Sequence, residues 1–157
     1  MATEFEHKLL VTGDGWRDAV ERSSSLSQVY LCARPGMTIR IRVVEDKTAY
    51  LTIKGKQAGI GRPEFEYEIP VADADELLGL AQHGYPISKT RHELGEPWAG
   101  WVVDEFAGEN AGLVLAELEV ESEDLAWETP DWAGEDVTAD SRYTNAVLYA
   151  EPYGHWK

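Results

Sequence analysis

The chain has 157 residues, 43% of them hydrophobic and 27% charged, the balance of one globular domain and not of a disordered chain. No apolar run approaches the ~18 residues of a membrane span, and a single cysteine, Cys32, excludes a disulfide framework and a multi-cysteine metal site. Acidic residues outnumber basic ones 29 to 14, so the formal charge of −15 disfavours nucleic acid and anionic membranes as partners. The N-terminus carries no signal-peptide pattern, which predicts a cytoplasmic location.

In chain order, the period-two alternation of strands begins at Glu4–Leu9, where the charges fall on even positions and Phe5, His7 and Leu9 point the other way. Trp16–Arg22 reads as a short helix and Ser23–Ser25 as a loop. Ser27–Ala33, Thr38–Val43, Tyr50–Lys54 and Glu64–Ile69 read as strands, the last a strict alternation of carboxylate and apolar residue. Turns at Arg34-Pro35-Gly36 and Gly59-Ile60-Gly61 separate them. Val71–His83 predicts a helix after Pro70, with Asp73, Asp75 and Glu76 suited to its N-terminal half. Ile87–Glu93, Trp98–Ala107 and Gly112–Glu121 are further strands, and Ser122–Trp127 and Arg142–Ala150 further helices. The fold class is therefore α+β: about eight antiparallel strands over residues 3–121 and a helical tail over 122–157, in one domain.

The polar faces of these strands are nearly all Arg, Lys and Glu. Lys8, Arg40, Arg42, Lys54, Arg62, Lys89 and Arg91 lie in or beside them, mostly at alternate positions. An exposed sheet with cross-strand ion pairs is one reading. The other is a barrel, which about eight strands can close, with helices outside and a hydrophilic lumen inside. Cations and carboxylates sharing a lumen suit a chain of phosphates bound with its metal. Glu4 and Glu6 project ~6.6 Å apart along a strand, close enough for one ion or two neighbouring ions. Glu117 and Glu119 repeat that spacing, and Asp104 can complete the shell. Glu64 and Glu66 could bind metal, but pairing with Arg40, Arg42 or Arg62 suits them better as buttresses.

Several motifs then occur in a fixed order. Glu4-Phe5-Glu6-His7-Lys8 resembles the Glu-x-Glu-x-Lys signature of the CYTH superfamily, the triphosphate tunnel metalloenzymes. Arg40-Ile41-Arg42, Lys54, Arg62 with Glu64–Ile69, Lys89-Thr90-Arg91, Asp104 and Glu117-Leu118-Glu119 resemble its later strands, and Trp132–Asn145 resembles the tail of compact bacterial members. The resemblance implies a closed barrel and a Mg²⁺- or Mn²⁺-dependent triphosphatase acting on inorganic, nucleoside or thiamine triphosphate. It implies metal ligation by Glu4, Glu6, Asp104, Glu117 and Glu119, phosphate binding by Lys8, Arg40, Arg42, Lys54, Arg62 and Arg91, and catalytic roles for Lys89 and Tyr30. A homodimer is a further implication. A phosphate-chain binder without hydrolysis and a class IV-type adenylyl cyclase are the alternatives. The His-Phe motif of those cyclases is not visible at the N-terminus.

Overall fold

The computed structural model describes residues 3–81 and 83–156. Among these described residues nine strands occur: β1 (Thr3–Val11), β2 (Val20–Arg34), β3 (Met37–Val44), β4 (Thr48–Lys54), β5 (Gly61–Ile69), β6 (Ile87–Leu94), β7 (Trp101–Phe106), β8 (Val114–Val120) and β9 (Ala133–Asp136). Two α-helices, α1 (Val71–Leu78) and α2 (Asn145–Ala150), accompany them. The strand order β5-β4-β3-β2-β6-β7-β8-β1 returns from β1 to β5, so the first eight strands form a closed antiparallel barrel. Closure rests on three pairs, Thr3 with Pro63, Glu4 with Arg62 and Phe5 with Gly61. The last needs glycine: a Cβ on Gly61 would stand 2.6 Å from the Phe5 ring. Further along the same edge of β1, Leu9–Val11 pair with β9 instead.

Alternation sorts the side chains as the sequence predicts, with apolar residues outside and charges inside. On one flank Leu9, Val103, Ala116 and Trp101 pack beneath Trp16 and Trp132. On the opposite flank α1 brings Ala74 to the cluster of Ile41, Val43 and Ala49 on β3 and β4. The inside is not charged throughout. Ile87, Phe106 and Leu115 stand in phase with Lys89, Asp104 and Glu117, and they join Tyr143, Leu148 and Tyr149 in an apolar plug at one end.

Several expectations change. The helix expected at Trp16–Arg22 is a 3₁₀ turn over Gly15–Ala19, after which β2 runs for 15 residues. Ser23–Ser25 therefore lie within a strand, paired to β6 on one edge. Their hydroxyls hide the alternation that marks the other strands. Helix α1 ends at Leu78, five residues before His83, and Gly79 supplies its C-terminal boundary. Ser122–Trp127 form no helix. The tail is not helical throughout: it contributes β9, a 3₁₀ turn over Ser141–Tyr143 capped by Asp140, and α2 capped by Thr144. The three-residue β3–β4 turn over residues 45–47 carries positive φ at Glu45 (54°) and Asp46 (56°), achieved without glycine. No helix is long and apolar enough to cross a membrane among the described residues.

Candidate active site

The inner faces of β1–β6 and β8 converge on a tunnel. Its wider part encloses about 630 Å³ and is lined by Lys8, Tyr30, Arg34, Thr38 and Arg62 together with α2. A narrower part of about 190 Å³ adds Arg42, Glu64, Glu66, Arg91, Glu117 and Glu119. Glu4, Glu6, Arg40, Lys54 and Asn145 border both, and they form the waist. The charge is partitioned. Cations dominate the wide part, whereas six carboxylates crowd the narrow one around four cations. Helix α2 is thus part of the tunnel wall through Ala146, Val147 and Ala150, not an outer helix as expected.

Each charged side chain is set by a neighbour. Lys54 Nζ donates to Glu4 at 2.8 Å and lies 3.6 Å from Glu64. Burial opposes ionisation of Glu4, but the charge and hydrogen bond of Lys54 outweigh it and lower its pKa. Arg40 donates to the Thr52 hydroxyl at 3.2 Å and to Glu66 at 3.5 Å, while that hydroxyl donates to Glu66 at 2.8 Å. The geometry thus brings Glu66 to Arg40, one of the three arginines expected, but Glu64 to Lys54 and to none of them. Arg42 donates to Gln28 Oε1 at 2.9 Å, and burial with repulsion from Arg40 and Arg91 lowers its pKa to about 10. Arg62 donates twice to the Gly55 carbonyl. Lys8 Nζ donates to the Tyr143 carbonyl at 3.2 Å and lies 3.5 Å from Glu117.

The carboxylates divide into satisfied and unsatisfied. Glu117 is buried, but Lys8 and Arg91 outweigh its desolvation and lower its pKa to about 2. Glu6 lacks that compensation: burial, then repulsion from Glu117, raises its pKa to about 8. Glu119, opposite Glu6 in the β1–β8 register, is raised by burial and by Glu4. A divalent cation beside Glu6 and Glu119 would supply the missing positive charge. No three Asp, Glu, His or Cys side chains converge tightly enough to hold a metal by themselves among the described residues. Mg²⁺ ordinarily keeps several waters and takes only one or two carboxylates plus phosphate oxygens, so the donor set fits a cation completed by substrate.

Asp104 differs from its expected role as a metal ligand. It is fully buried, with Lys89 Nζ 2.8 Å from Oδ2 and Arg91 gripping both oxygens at 2.8 Å. Burial works against its ionisation, yet Lys89 and Arg91 hold its pKa far below the usual carboxylate range. Its oxygens anchor two cations and do not line the tunnel. Lys89 itself is buried against the Phe106 ring and also donates to Asn145 Oδ1 at 3.1 Å. Burial lowers its pKa to about 7 although Asp104 works against that shift. Tyr30 and Lys89 are not hydrogen-bonded to each other among the described residues: Tyr30 stands opposite Arg40 and packs edge-on to Tyr149, while Lys89 stands opposite Leu26.

Sequence reasoning missed Gln28, Thr52 and Asn145. Gln28 alternates with Tyr30 on β2, a signal that could have found it; Asn145 carries no local signal. It also missed that Ser23 lies 2.7 Å from His92 Nδ1, whose Nε2 lies 2.8 Å from Glu105. That row occupies the outer face of the barrel and borders neither part of the tunnel.

The sequence profile of the CYTH domain matches residues 2–145. The chain belongs to the CYTH family. An inorganic triphosphatase of Acetivibrio thermocellus is 41% identical over 157 residues, covering 100% of this chain and 99% of that one. A second inorganic triphosphatase, from Nitrosomonas europaea, is 37% identical over 151 residues, covering 93% of this chain and 96% of its own length. The crystal structure of an inorganic triphosphatase superposes on this CYTH barrel with a TM-score of 0.65 at 33% identity, covering 95% of each chain. Membership of the CYTH family implies a divalent metal, consistent with the uncompensated carboxylates of the narrow part.

Proposed function

We propose that this CYTH protein is a hydrolase that cleaves a phosphoanhydride bond of inorganic triphosphate in the tunnel, with Mg²⁺ or Mn²⁺ bound beside the phosphate chain. The observation that carries the reading is the partition of charge along the tunnel, which gives a linear polyanion a cationic seat and its metal a carboxylate seat. Inorganic triphosphatases of 41% and 37% identity support the substrate class.

Phosphoryl transfer asks little covalent chemistry of the protein, and positioning with charge neutralisation carries most of it. Lys8, Arg40, Lys54 and Arg62 hold phosphate oxygens from the wide part and waist, Arg42 and Arg91 from the narrow part. Glu64 and Glu66 keep Lys54 and Arg40 extended towards the chain. Glu4, Glu6, Glu117 and Glu119 would hold the metal, which would supply positive charge against the charge that develops on the phosphate and help to activate water. Lys89, with a pKa near neutrality, can hold or release a proton at Nζ beside the waist, and Tyr30 closes the wide part around the chain. The same reading places the protein in the cytoplasm as a homodimer with no nucleic-acid or membrane partner, in line with its charge of −15.

Phosphate release from triphosphate, measured with Mg²⁺, with Mn²⁺ and with EDTA, tests the reading. Turnover that needs metal is expected, with ATP, thiamine triphosphate and pyrophosphate run in parallel to rank substrates. No turnover of any triphosphate with either metal, together with binding that EDTA leaves undiminished, would replace the enzyme with a phosphate-chain binder.

A further inference from the structure

Between Lys89 and the open tunnel stands a side chain with no role so far. Asn145 is the first residue of α2 and borders both the wide and the narrow part, whereas Lys89 borders neither. Its Oδ1 accepts one of the three Lys89 N–H donors at 3.1 Å, and Asp104 accepts another at 2.8 Å. Asp104 carries the charge and the shorter contact, so without a counterweight the ammonium would settle on Asp104, away from the waist. Asn145 pulls from the tunnel side. The segment that carries it is itself well held: Lys8 donates to the Tyr143 carbonyl, Thr144 caps α2 through the Val147 N–H, and Leu148 and Tyr149 are buried in the apolar plug.

We propose that Asn145 is a positioning residue for triphosphate hydrolysis, one that holds the Lys89 ammonium towards the waist of the tunnel against the pull of Asp104. The inference rests on the triphosphatase reading above and assigns it a residue on the C-terminal segment, outside the barrel strands. A neutral amide suits the role because a carboxylate there would repel the substrate. The two acceptors fix the ammonium, with Asn145 on its tunnel side and Asp104 behind it.

Steady-state kinetics on triphosphate with saturating Mg²⁺ tests this in the wild-type protein, Asn145→Ala, Lys89→Ala and the double variant. Removing the amide should lower kcat by about 10- to 100-fold, the scale of a misplaced catalytic group, with KM nearly unchanged. The double variant should be no slower than Lys89→Ala, because both changes remove one unit. Should the alanine variant fail to fold, Asn145→Leu keeps the size and removes the acceptor, and it makes the same measurement. Asn145→Asp keeps the acceptor and should recover part of the kcat lost in Asn145→Ala. Wild-type turnover with a raised KM and unchanged kcat in Asn145→Ala would overturn the inference alone, as would penalties that multiply in the double variant. A wild-type protein without triphosphate turnover would overturn the underlying reading and the inference with it.

Discussion

Asp104→Asn removes one charge from the most buried ion cluster of the protein and leaves its shape almost unchanged. In the wild-type barrel the carboxylate faces Lys89 at 2.8 Å and Arg91 at 2.8 Å, with the side chains of Asp104 and Lys89 both fully buried. Breaking a buried pair by removing one partner costs ~3–5 kcal/mol, since the remaining charge is left without compensation. Two features hold the loss to the lower end. Arg91 keeps Glu117 at 3.0 Å. Lys89 already has a pKa near 7 and can shed its proton at little cost near neutral pH. We therefore expect a loss of about 3 kcal/mol at pH 7, or ~10 °C in Tm at this chain length. Urea unfolding followed by tryptophan fluorescence, with calorimetry alongside, measures it. The acid limb should change as well. Asp104 and Glu117 have depressed folded-state pKa values, so their stabilisation is complete above their unfolded values near ~4 and is lost as pH falls through the folded ones. Asp104→Asn should thus lose less stability between about pH 5 and about pH 2 than the wild type does. A variant within about 0.5 kcal/mol of wild type at pH 7, with an unchanged acid limb, would refute the assignment of Asp104 as the ionised anchor of Lys89 and Arg91.

The remaining expectations concern the tunnel. Glu6 has the opposite sign: its folded pKa of about 8 lies above the ordinary value of 4.5, so its contribution to stability is full below the unfolded value and is lost as pH rises through 8. Metal-free protein should therefore lose stability between those two values, and Glu6→Gln should flatten the slope when Tm is followed against pH. Glu119→Gln or Glu4→Gln should lower activity in a way that excess Mg²⁺ or Mn²⁺ partly repairs, by about 10-fold or more at limiting metal. Arg40→Ala should raise KM for triphosphate, and a metal titration should not restore it. Wild-type turnover in both carboxylate variants would tell against the metal seat.

What could be read from the sequence is what strand geometry repeats locally. Side chains alternate across a strand, so Glu4, Glu6 and Lys8 announce one face and Phe5, His7 and Leu9 the other before any pairing is known. Five such charged strands, ordered as in CYTH proteins, carried the barrel and most of its inner lining. The serine-rich start of β2 and the turn at Glu45-Asp46 fell outside that signal, because neither alternation nor glycine marks them. Pairing partners are a different matter, since they join residues far apart in the chain. Asp104 looked like one more carboxylate among several, and only the adjacency of β6 and β7 placed it against Lys89 and Arg91. The apolar end of the tunnel arose because Ile87, Phe106 and Leu115 share a face with charged residues but meet Leu148 and Tyr149. Asn145 shows the limit most plainly. Its role depends on a six-residue helix reaching the waist from the far end of the chain, and 56 positions separate it from Lys89. No local pattern encodes such a contact, because the packing of the tail against the closed barrel creates it.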